Sequence, residues 1–377
     1  MLLTALHNAG YKQPTSIQQM LIPAIAAGQN ILAIAPTGSG KTEAFAIPLL
    51  AAQLNNNKLS EAQSLVLSPT RELAIQTAAR INRIAEPLNL SCISIYGGVT
   101  YSEQTQALDK QPHVIVATPG RLLDLQAQGL IDLGSIACIV LDEVDEMLAL
   151  GFLKEVNQLL GSISAAAQRV FVSATGSVEL EKIAKKQLPN LHTYTLEAEQ
   201  SRIQEHALFV DKADKKELIA YLIADFSLQQ LIVFTRTTHA VDRIVQHLQA
   251  KHIAAQGLYA DKKQAQRADI LQNFRAGSFQ VLVATDLATR GLDIPNLSAV
   301  INYEVPDMAA TYLHRIGRTG RRAEGQAFTF CDGEENNKLI ALQIELKKSL
   351  PVYDKHPYPL SWQKMQSSSN KSKGKKR

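Results

Sequence analysis

Short apolar runs rich in β-branched residues recur along the first half of the chain, and segments with helical apolar spacing lie between them. Strands that are continuously apolar and alternate with helices indicate a parallel sheet covered by helices on both faces. The predicted strands are 31–35, 64–68, 91–96, 114–117, 139–141 and 170–173. The predicted helices between them include 74–88 and 155–160. The first half is therefore predicted to be an α/β domain.

The same alternation repeats in the second half. The predicted strands there are 207–210, 231–235, 281–285, 299–303 and 327–330, with helices such as 238–251 between them. A polar stretch without a sheet signal, 196–202, separates the halves, which is typical of a linker. At 377 residues the chain is long enough for two domains with separate cores. We therefore predict domains over 1–196 and 206–355, joined by a linker over 197–205.

The composition excludes several classes of protein. A hydrophobic content of 46% and a charged content of 20% are typical of a globular chain rather than a disordered one. No apolar run approaches the length of about 18 residues that a membrane span needs, and the start of the chain lacks a secretory pattern. Cys92, Cys138 and Cys331 are far apart and odd in number, which fits neither a disulfide framework nor a zinc site. We therefore expect no membrane partner and a reducing, cytoplasmic location.

The net charge of +4 is concentrated at the end of the chain. Residues 361–377 carry six basic residues and no acidic ones, which leaves 33 basic and 35 acidic residues elsewhere. Nucleic-acid contacts in the body must therefore come from a few placed groups rather than from a general positive field. The composition predicts a disordered basic tail over 356–377, and it leaves open whether that tail tethers nucleic acid or only aids solubility.

The segment APTGSGKT at 35–42 follows an apolar run and precedes a helical pattern. It fits the phosphate-binding pattern G-x-x-x-x-G-K-[ST] except that alanine replaces the first glycine. Small residues let the backbone curl so that successive N–H groups and the helix N-terminus face a phosphate. The lysine is expected between the β- and γ-phosphates and the threonine hydroxyl on Mg²⁺. The predicted nucleotide-binding residues are Ala35, Pro36, Thr37, Gly38, Ser39, Gly40, Lys41 and Thr42.

The run 139–141 ends in two carboxylates, Asp142 and Glu143. Asp142 is expected to hold Mg²⁺ through a water molecule, and Glu143 to orient or deprotonate the water that attacks the γ-phosphate. Together with the phosphate loop this pair predicts a P-loop NTPase. Transport ATPases, recombinases and small-molecule kinases remain open on these residues alone.

Further short motifs narrow the class. The first half contains GYKQPTSIQ at 10–18, PTRELA at 69–74, a glycine pair at 97–98, TPGR at 118–121, DEVD at 142–145 and SAT at 173–175. The second half contains VFT at 233–235, Gln264 with Arg267, ATD at 284–286, RGLD at 290–293 and HRIGRTGR at 314–321. In order and spacing these resemble the DEAD-box RNA helicases of helicase superfamily 2, from residue 10 to about residue 330. The resemblance implies two tandem RecA-like domains, each a mostly parallel sheet flanked by helices.

The resemblance also implies ATP and Mg²⁺ as cofactors. Gln18 carries an amide that can pair with adenine N6 and N7, which selects ATP over GTP, and Tyr11 is expected near the base. Gly291 and Asp293 correspond to nucleotide-binding positions, with Asp293 on the ribose. The metal is assigned to Thr42 and Asp142.

Arg318 and Arg321 are three residues apart and can share one face of a helix. The resemblance makes them arginine fingers that neutralise charge developing on the γ-phosphate. With Lys41, Asp142 and Glu143 they complete the implied catalytic set. Because the fingers and the phosphate loop belong to different domains, the resemblance implies that hydrolysis requires domain closure promoted by RNA.

RNA contacts are expected mainly at phosphates and 2′-hydroxyls, which implies weak sequence preference and local unwinding of short duplexes. The implied RNA-binding residues are Pro69, Thr70, Arg71, Gly97, Gly98, Thr118, Pro119, Gly120, Arg121, Arg267, Thr285 and Asp286. The residues implied to couple the nucleotide site to RNA are Asp145, Ser173, Thr175 and His314.

The chain departs from the family pattern at Val144, where the family usually has alanine. The added bulk lies where Asp145 is expected to contact Ser173 or Thr175, and extra volume in a packed site can cost about 1–3 kcal/mol. We expect ATP hydrolysis to be retained. The property that this change is expected to affect is the coupling of hydrolysis to unwinding. Proline stands at position 36, where the family usually has glutamine. Tyr-Ala-Asp stands at 259–261, where the family usually has His-Gly-Asp.

Three functions fit these residues. The first is an RNA-dependent ATPase that unwinds short duplexes or displaces proteins, for instance with ribosome-assembly or RNA-decay proteins as partners. The second is an ATP-gated RNA clamp with little unwinding. The third is a DNA-directed superfamily 2 motor, against which the motifs at 10–18, 69–74 and 314–321 argue. The first two need the same residues, so the sequence leaves that choice open.

Overall fold

The computed structural model describes residues 1–55, 64–197, 202–289, 297–320 and 324–361. The chain divides into two units, Met1–Glu199 and Gln200–Arg377. Each unit contains one parallel sheet with helices on both faces, as the apolar runs predicted. No helix among the described residues is long and apolar enough to cross a bilayer.

The sheet of the first unit has the order β3-β4-β2-β5-β6-β1-β7, and every adjacent pair is parallel. Its strands are β1 (Ile31–Ile34), β2 (Ser64–Leu67), β3 (Cys92–Ile95), β4 (Val114–Ala117), β5 (Cys138–Asp142), β6 (Gln168–Ser173) and β7 (His192–Thr195). Side chains alternate between the two faces. In β1, for example, Ile31 and Ala33 pack into one core and Leu32 into the other.

The helices of the first unit cover both faces of this sheet. They are α1 (Leu2–Asn8), α2 (Ser16–Ala26), α3 (Lys41–Asn55), α4 (Arg71–Ala85) followed by a 3₁₀ turn (Glu86–Leu88), α5 (Tyr101–Leu108), α6 (Pro119–Ala127), α7 (Val144–Ala149), α8 (Leu153–Ser162) and α9 (Val178–Gln187). Threonine or serine side chains cap several of them. The hydroxyl oxygen of Thr70, for example, accepts a hydrogen bond from the N–H of Leu73 at the start of α4.

The second sheet has the order β10-β11-β9-β12-β13-β8 and is also parallel throughout. Its strands are β8 (Ile203–Phe209), β9 (Leu231–Phe234), β10 (Ala255–Leu258), β11 (Val281–Ala284), β12 (Ala299–Asn302) and β13 (Gly325–Cys331). The helices are α10 (Lys215–Asp225), α11 (Thr238–Ala250), α12 (Gln264–Arg275), α13 (Asp286–Thr289), α14 (Ala309–Ile316) and α15 (Asn336–Leu346).

Two strands were missing from the predicted set, β7 and β10. Both are edge strands of their sheets, and their sequences HTYT and AQGL contain no continuous apolar run. Residues of β7 are largely exposed, so burial on both faces does not impose an apolar pattern there. An edge strand of this kind is recognised from its pairing rather than from its composition.

The predicted boundaries also differ from the structure at both ends of the second unit. Residues 203–205 of the predicted linker belong to β8 and pair with β13. Residues 356–361 of the predicted tail pack on the second unit, because His356 and Leu360 are buried. The rest of the predicted tail, 362–377, lies outside the described residues.

A buried ion cluster joins the start of α10 to the segment after β13. Lys215 is only 1% exposed, and its Nζ lies 2.6 Å from Glu335 Oε2 and 3.0 Å from Asp332 Oδ2. The other oxygen of Glu335 accepts hydrogen bonds from the Val305 N–H at 3.2 Å and from Arg236 at 3.3 Å. Buried charges of this kind are tolerated only when they are paired.

We expect Lys215→Met to destabilise the second unit by about 3–5 kcal/mol, because two buried carboxylates lose their shared counter-charge. Hydrogen exchange of the β13 amides measures this loss. Lys338→Met is the matched control, since Lys338 and its partner Asp307 are both largely exposed at 2.8 Å separation. Equal protection of β13 in the two variants would contradict a stabilising role for the buried cluster.

Candidate functional site

Apart from Tyr11 and Gln18, which precede β1, the predicted functional segments of the first unit lie at or just after the end of a strand. The phosphate loop follows β1, the segment 69–71 follows β2, the glycine pair follows β3 and 118–121 follows β4, while Asp142 and Ser173 are the last residues of β5 and β6. Because the strands are parallel, these ends lie along the same edge of the sheet. This is the edge at which open α/β sheets bind ligands.

The phosphate loop 35–42 turns through two glycines in the left-handed region. Gly38 has φ +81° and Gly40 has φ +96°, conformations that residues with a Cβ rarely adopt. Lys41 begins α3, is 8% exposed, and donates hydrogen bonds from Nζ to the carbonyls of Ala35 at 2.6 Å and Pro36 at 3.2 Å. The Ser39 hydroxyl donates to the same Pro36 carbonyl at 2.8 Å. The loop is thus held in a closed curl around the ammonium group.

Gln18 is tied directly to the phosphate loop. Its Nε2 donates to the Gly40 carbonyl at 3.1 Å, and its Oε1 accepts from the Thr15 N–H at 2.9 Å in a capping box at the start of α2. The predicted adenine-reading residue therefore lies beside the predicted phosphate site. Tyr11, expected near the base, donates from its hydroxyl to Glu43 Oε1 at 3.0 Å.

Three charged groups meet at the end of β5. Burial raises the pKa of Asp142, the negative charge of Glu143 raises it further, and the positive charge of Lys41 opposes both effects. Burial lowers the pKa of Lys41, and the carboxylates of Glu143, Asp142 and Asp145 oppose that shift. Glu143 has φ +55° and ψ +55°, a strained conformation for a residue other than glycine. This bend turns the chain sharply from β5 into α7.

The residues present fit a magnesium ion. Thr42 and Asp142 offer hydroxyl and carboxylate oxygen, the donors that Mg²⁺ prefers. A divalent cation at Asp142 would stabilise the charged form that burial and the neighbouring Glu143 now disfavour.

The expected contact of Asp145 with motif SAT is confirmed. Asp145 Oδ2 accepts hydrogen bonds from the Thr175 N–H at 2.9 Å and from the Thr175 hydroxyl at 2.7 Å, while the Ser173 hydroxyl donates to the Thr175 carbonyl at 2.7 Å. Val144 is 3% exposed and packs into the core beneath them. The valine at position 144 therefore does not prevent Asp145 from contacting Thr175.

The predicted RNA-side residues of the first unit form two groups. Arg71 packs its guanidinium against Gly97 and Gly98, so closely that a Cβ at Gly98 would overlap it. Pro69 and Thr70 lead from β2 into α4 beside that guanidinium. Glycine at 97–98 therefore lets an arginine approach the backbone directly.

The second group surrounds Arg121. Its guanidinium donates to Gln104 Oε1 and to the Val99 carbonyl, both at 3.2 Å, and lies 4.5 Å from the centre of the Tyr101 ring. The Tyr101 hydroxyl donates to Asp124. Thr118, Pro119 and Gly120 form the start of α6 next to Arg121.

In the second unit the structure gives Asp286 a partner that the sequence did not suggest. Arg315 donates from Nε to Asp286 Oδ1 and from a terminal nitrogen to Oδ2, both at 2.7 Å, and also donates to Asn302 Oδ1 at 2.9 Å. Arg315 is buried and its guanidinium lies 5.1 Å from the centre of the Phe234 ring. This bidentate pair, separated by 29 residues, joins the ATD and HRIGRTGR motifs; no local pattern marks such a contact.

Seven predicted residues of the second unit remain, and four of them lie among the described residues. Arg267 is buried in α12 and donates to the Ala288 carbonyl at 3.2 Å, and the Thr285 N–H donates to the Leu258 carbonyl at 3.3 Å. His314 lies in the last turn of α14 and Arg318 follows that helix. The residues predicted at Gly291, Asp293 and Arg321 lie outside the described residues.

We expect Val144→Ala to lower the free energy of unfolding by about 1–3 kcal/mol and to leave ATP hydrolysis in place, because the change removes buried methyl groups without touching Asp142 or Glu143. Urea unfolding and ATPase assays test both parts. Val178→Ala is the matched control, since Val178 is 70% exposed in the same unit. Loss of hydrolysis with unchanged stability would show that the valine acts on chemistry rather than packing.

We expect Gly40→Ala to weaken binding of a non-hydrolysable ATP analogue by about tenfold or more. A Cβ there would lie 2.5 Å from Gln18 Nε2 and break the Gln18 hydrogen bond, a loss worth about 1–3 kcal/mol. Gly28→Ala is the control, because Gly28 also has positive φ but nothing within 4 Å of the added Cβ. If both variants bind the analogue equally well, the Gln18–Gly40 contact does not organise the site.

Comparison with known proteins gives the family. Residues 15–183 match the family described as DEAD/DEAH box helicase, and residues 214–323 match the helicase conserved C-terminal domain. The DEAD-box ATP-dependent RNA helicase CshA of Bacillus licheniformis is 37% identical over 353 residues, covering 93% of this chain and 72% of the relative. The CshA of Geobacillus kaustophilus is 36% identical over 92% of this chain and 75% of its own length. In structure, S. cerevisiae Dbp5 bound to RNA and ADP BeF3 aligns with a TM-score of 0.83 and 28% identity over 98% of this chain and 96% of that one.

The identity to CshA extends over nearly the whole of this chain and most of each relative. The first family match covers the phosphate loop and DEVD within the first unit, and the second covers HRIGRTGR within the second unit. The chain therefore belongs to the DEAD-box family of ATP-dependent RNA helicases.

Proposed function

We propose that this chain hydrolyses ATP in response to RNA and uses the cycle to unwind short duplexes or remodel RNA–protein complexes. The observation that carries the proposal is the arrangement of the first unit. Lys41, Asp142 and Glu143 lie at one edge of the sheet, and Arg71 and Arg121 lie at the ends of neighbouring strands on that same edge. Nucleotide and RNA can thus act on one set of loops.

In this proposal Gln18 binds adenine and the phosphate loop binds the triphosphate through its N–H groups and Lys41. Thr42 and Asp142 would hold Mg²⁺, which would supply positive charge to stabilise the phosphate oxygens. Glu143 orients the attacking water and accepts its proton. The left-handed backbone conformation of Glu143 sets the direction in which its side chain leaves the main chain.

The proposal assigns Arg318 and Arg321 to the developing charge on the γ-phosphate, with Gly291 and Asp293 on the nucleotide. These residues belong to the second unit, whereas Lys41 and Glu143 belong to the first. We therefore propose that hydrolysis requires both units and that RNA promotes their joint action. His314, Asp145, Ser173 and Thr175 transmit the state of one site to the other.

RNA is proposed to bind through phosphate and 2′-hydroxyl contacts. The donors are helix starts, small residues and arginines, which carry no base code. The pairing of Asp286 with Arg315 supports a positioning role for Asp286 rather than a direct RNA contact, because its carboxylate already accepts two hydrogen bonds. We also propose Mg²⁺ dependence, partners in ribosome assembly or RNA decay, and a cytoplasmic location, the last supported by three free buried cysteines.

The test is the ATPase rate of the full chain with no nucleic acid, with single-stranded RNA and with single-stranded DNA. We expect stimulation by RNA and little by DNA, and separation of a short RNA duplex when ATP is present. Glu143→Gln should lower turnover by about 10²–10⁴-fold, because the general base is lost while nucleotide binding is kept.

Turnover that ignores RNA would overturn the proposal. Stimulation by DNA equal to that by RNA would favour a DNA-directed motor. Retention of RNA for many turnovers without strand separation would favour the ATP-gated clamp.

A further inference from the structure

Glu43 lies in the first turn of α3, one residue after Thr42, and is 7% exposed. Its Oε1 accepts the hydroxyl hydrogen bond of Tyr11 at 3.0 Å and lies 3.9 Å from a terminal nitrogen of Arg80. A single buried carboxylate oxygen therefore meets groups from two other elements. None of the family motifs includes Glu43 or Arg80.

These contacts join three parts of the first unit that carry different ligands in the proposed function. Tyr11 belongs to the loop between α1 and α2, and that loop leads to Gln18. Glu43 belongs to the helix that follows the phosphate loop. Arg80 belongs to α4, whose first residue is Arg71.

A single continuous helix, α4, connects Arg71 to Arg80. Arg80 lies nine residues after Arg71, which is about 13 Å at 1.5 Å per residue in a continuous helix. The helix starts at a Thr70 cap and packs its buried residues, among them Ile81 and Ile84, into the core around β3 and β4. Because the helix is continuous, any displacement of its first turn would move Arg80 with it.

The charges around Glu43 support a defined arrangement. Burial and the negative charge of Glu43 raise the pKa of Tyr11 to about 12, so the hydroxyl stays protonated and donates. Arg80 and Arg83, both on α4, act on Tyr11 in the opposite direction. The positive charge of Arg80 also favours the charged form of Asp142. The carboxylate itself lies at a helix N-terminus, where negative charge is favourable.

We propose that Glu43 is a positioning residue that couples RNA contact at the start of α4 to the adenine-binding loop through Arg80 and Tyr11. The inference rests on the proposed RNA-stimulated ATPase and adds a route by which RNA changes nucleotide affinity. Glu43 touches neither ligand and acts through its two neighbours.

The experiment measures the dissociation constant of a non-hydrolysable ATP analogue with and without saturating poly(U) RNA. The ratio of the two constants is the coupling factor, and the poly(U) constant with and without the analogue must give the same factor. We expect RNA to tighten analogue binding in the unmodified chain. Tyr11→Phe and Arg80→Gln should each reduce the coupling factor by about fivefold, since allosteric coupling typically corresponds to fivefold or more.

The double variant should lose no more coupling than either single variant, because both changes interrupt the same carboxylate. Glu43→Gln should match Arg80→Gln, since the amide keeps an acceptor for Tyr11 but removes the charge that attracts Arg80. Tyr353→Phe is the control. It removes a tyrosine hydroxyl that donates to a carboxylate, Asp225, at 2.9 Å in the second unit, and it should leave the coupling factor unchanged.

Variants that keep the coupling factor while losing thermal stability would overturn the inference and leave Glu43 with a packing role. Additive losses in the double variant would also overturn it, because independent routes would then carry the coupling. If RNA neither stimulates hydrolysis nor tightens analogue binding in the unmodified chain, the proposed function itself fails, and this inference falls with it.

Discussion

Parallel strand pairing determines where most of the predicted functional segments of this protein lie. When neighbouring strands run in the same direction, the turns that follow their carboxyl ends lie along one edge of the sheet. In the first unit six such turns carry the phosphate loop, the acidic pair, the SAT motif and the predicted RNA contacts. Residues more than a hundred positions apart, such as Lys41 and Asp142, interact there because of strand order and not because of sequence proximity.

Charged groups are buried near the carboxyl ends of the strands in both units, and each is compensated by different partners. Lys41 is held by carbonyl oxygens and by carboxylates from β5 and α7. Arg315 is held by a bidentate carboxylate and an amide, and Lys215 by two carboxylates. Because an unpaired buried charge is costly, these pairings specify the positions of the segments that carry them. The ATD and HRIGRTGR motifs are therefore linked to each other by the Asp286–Arg315 ion pair.

The sequence predicts the central strands and the motif positions because burial on both faces forces continuous apolar runs and because phosphate binding demands small residues at fixed spacing. It does not predict β7 and β10, whose edge positions impose no such run. It also does not predict the ion pair of Asp286 with Arg315, since the two residues are 29 positions apart and belong to different helices. The Tyr11–Glu43–Arg80 contacts are missed for the same reason: no motif marks these residues, and only the packing of α3 against α4 and against the α1–α2 loop brings them together.

Strand β8 is an edge strand of the second sheet. On its outer side, Ala207 is hydrogen-bonded to a segment from near the end of the unit. There the Ala207 N–H donates to the Pro351 carbonyl at 2.8 Å, and its own carbonyl accepts from the Tyr353 N–H at 2.9 Å. An uncovered edge strand is a template on which another molecule can add a strand, the first step towards aggregation. Residues 351–353 pair with the middle of β8 and so block strand addition there. Another chain could therefore add a strand along the full length of this edge only by first displacing residues 351–353.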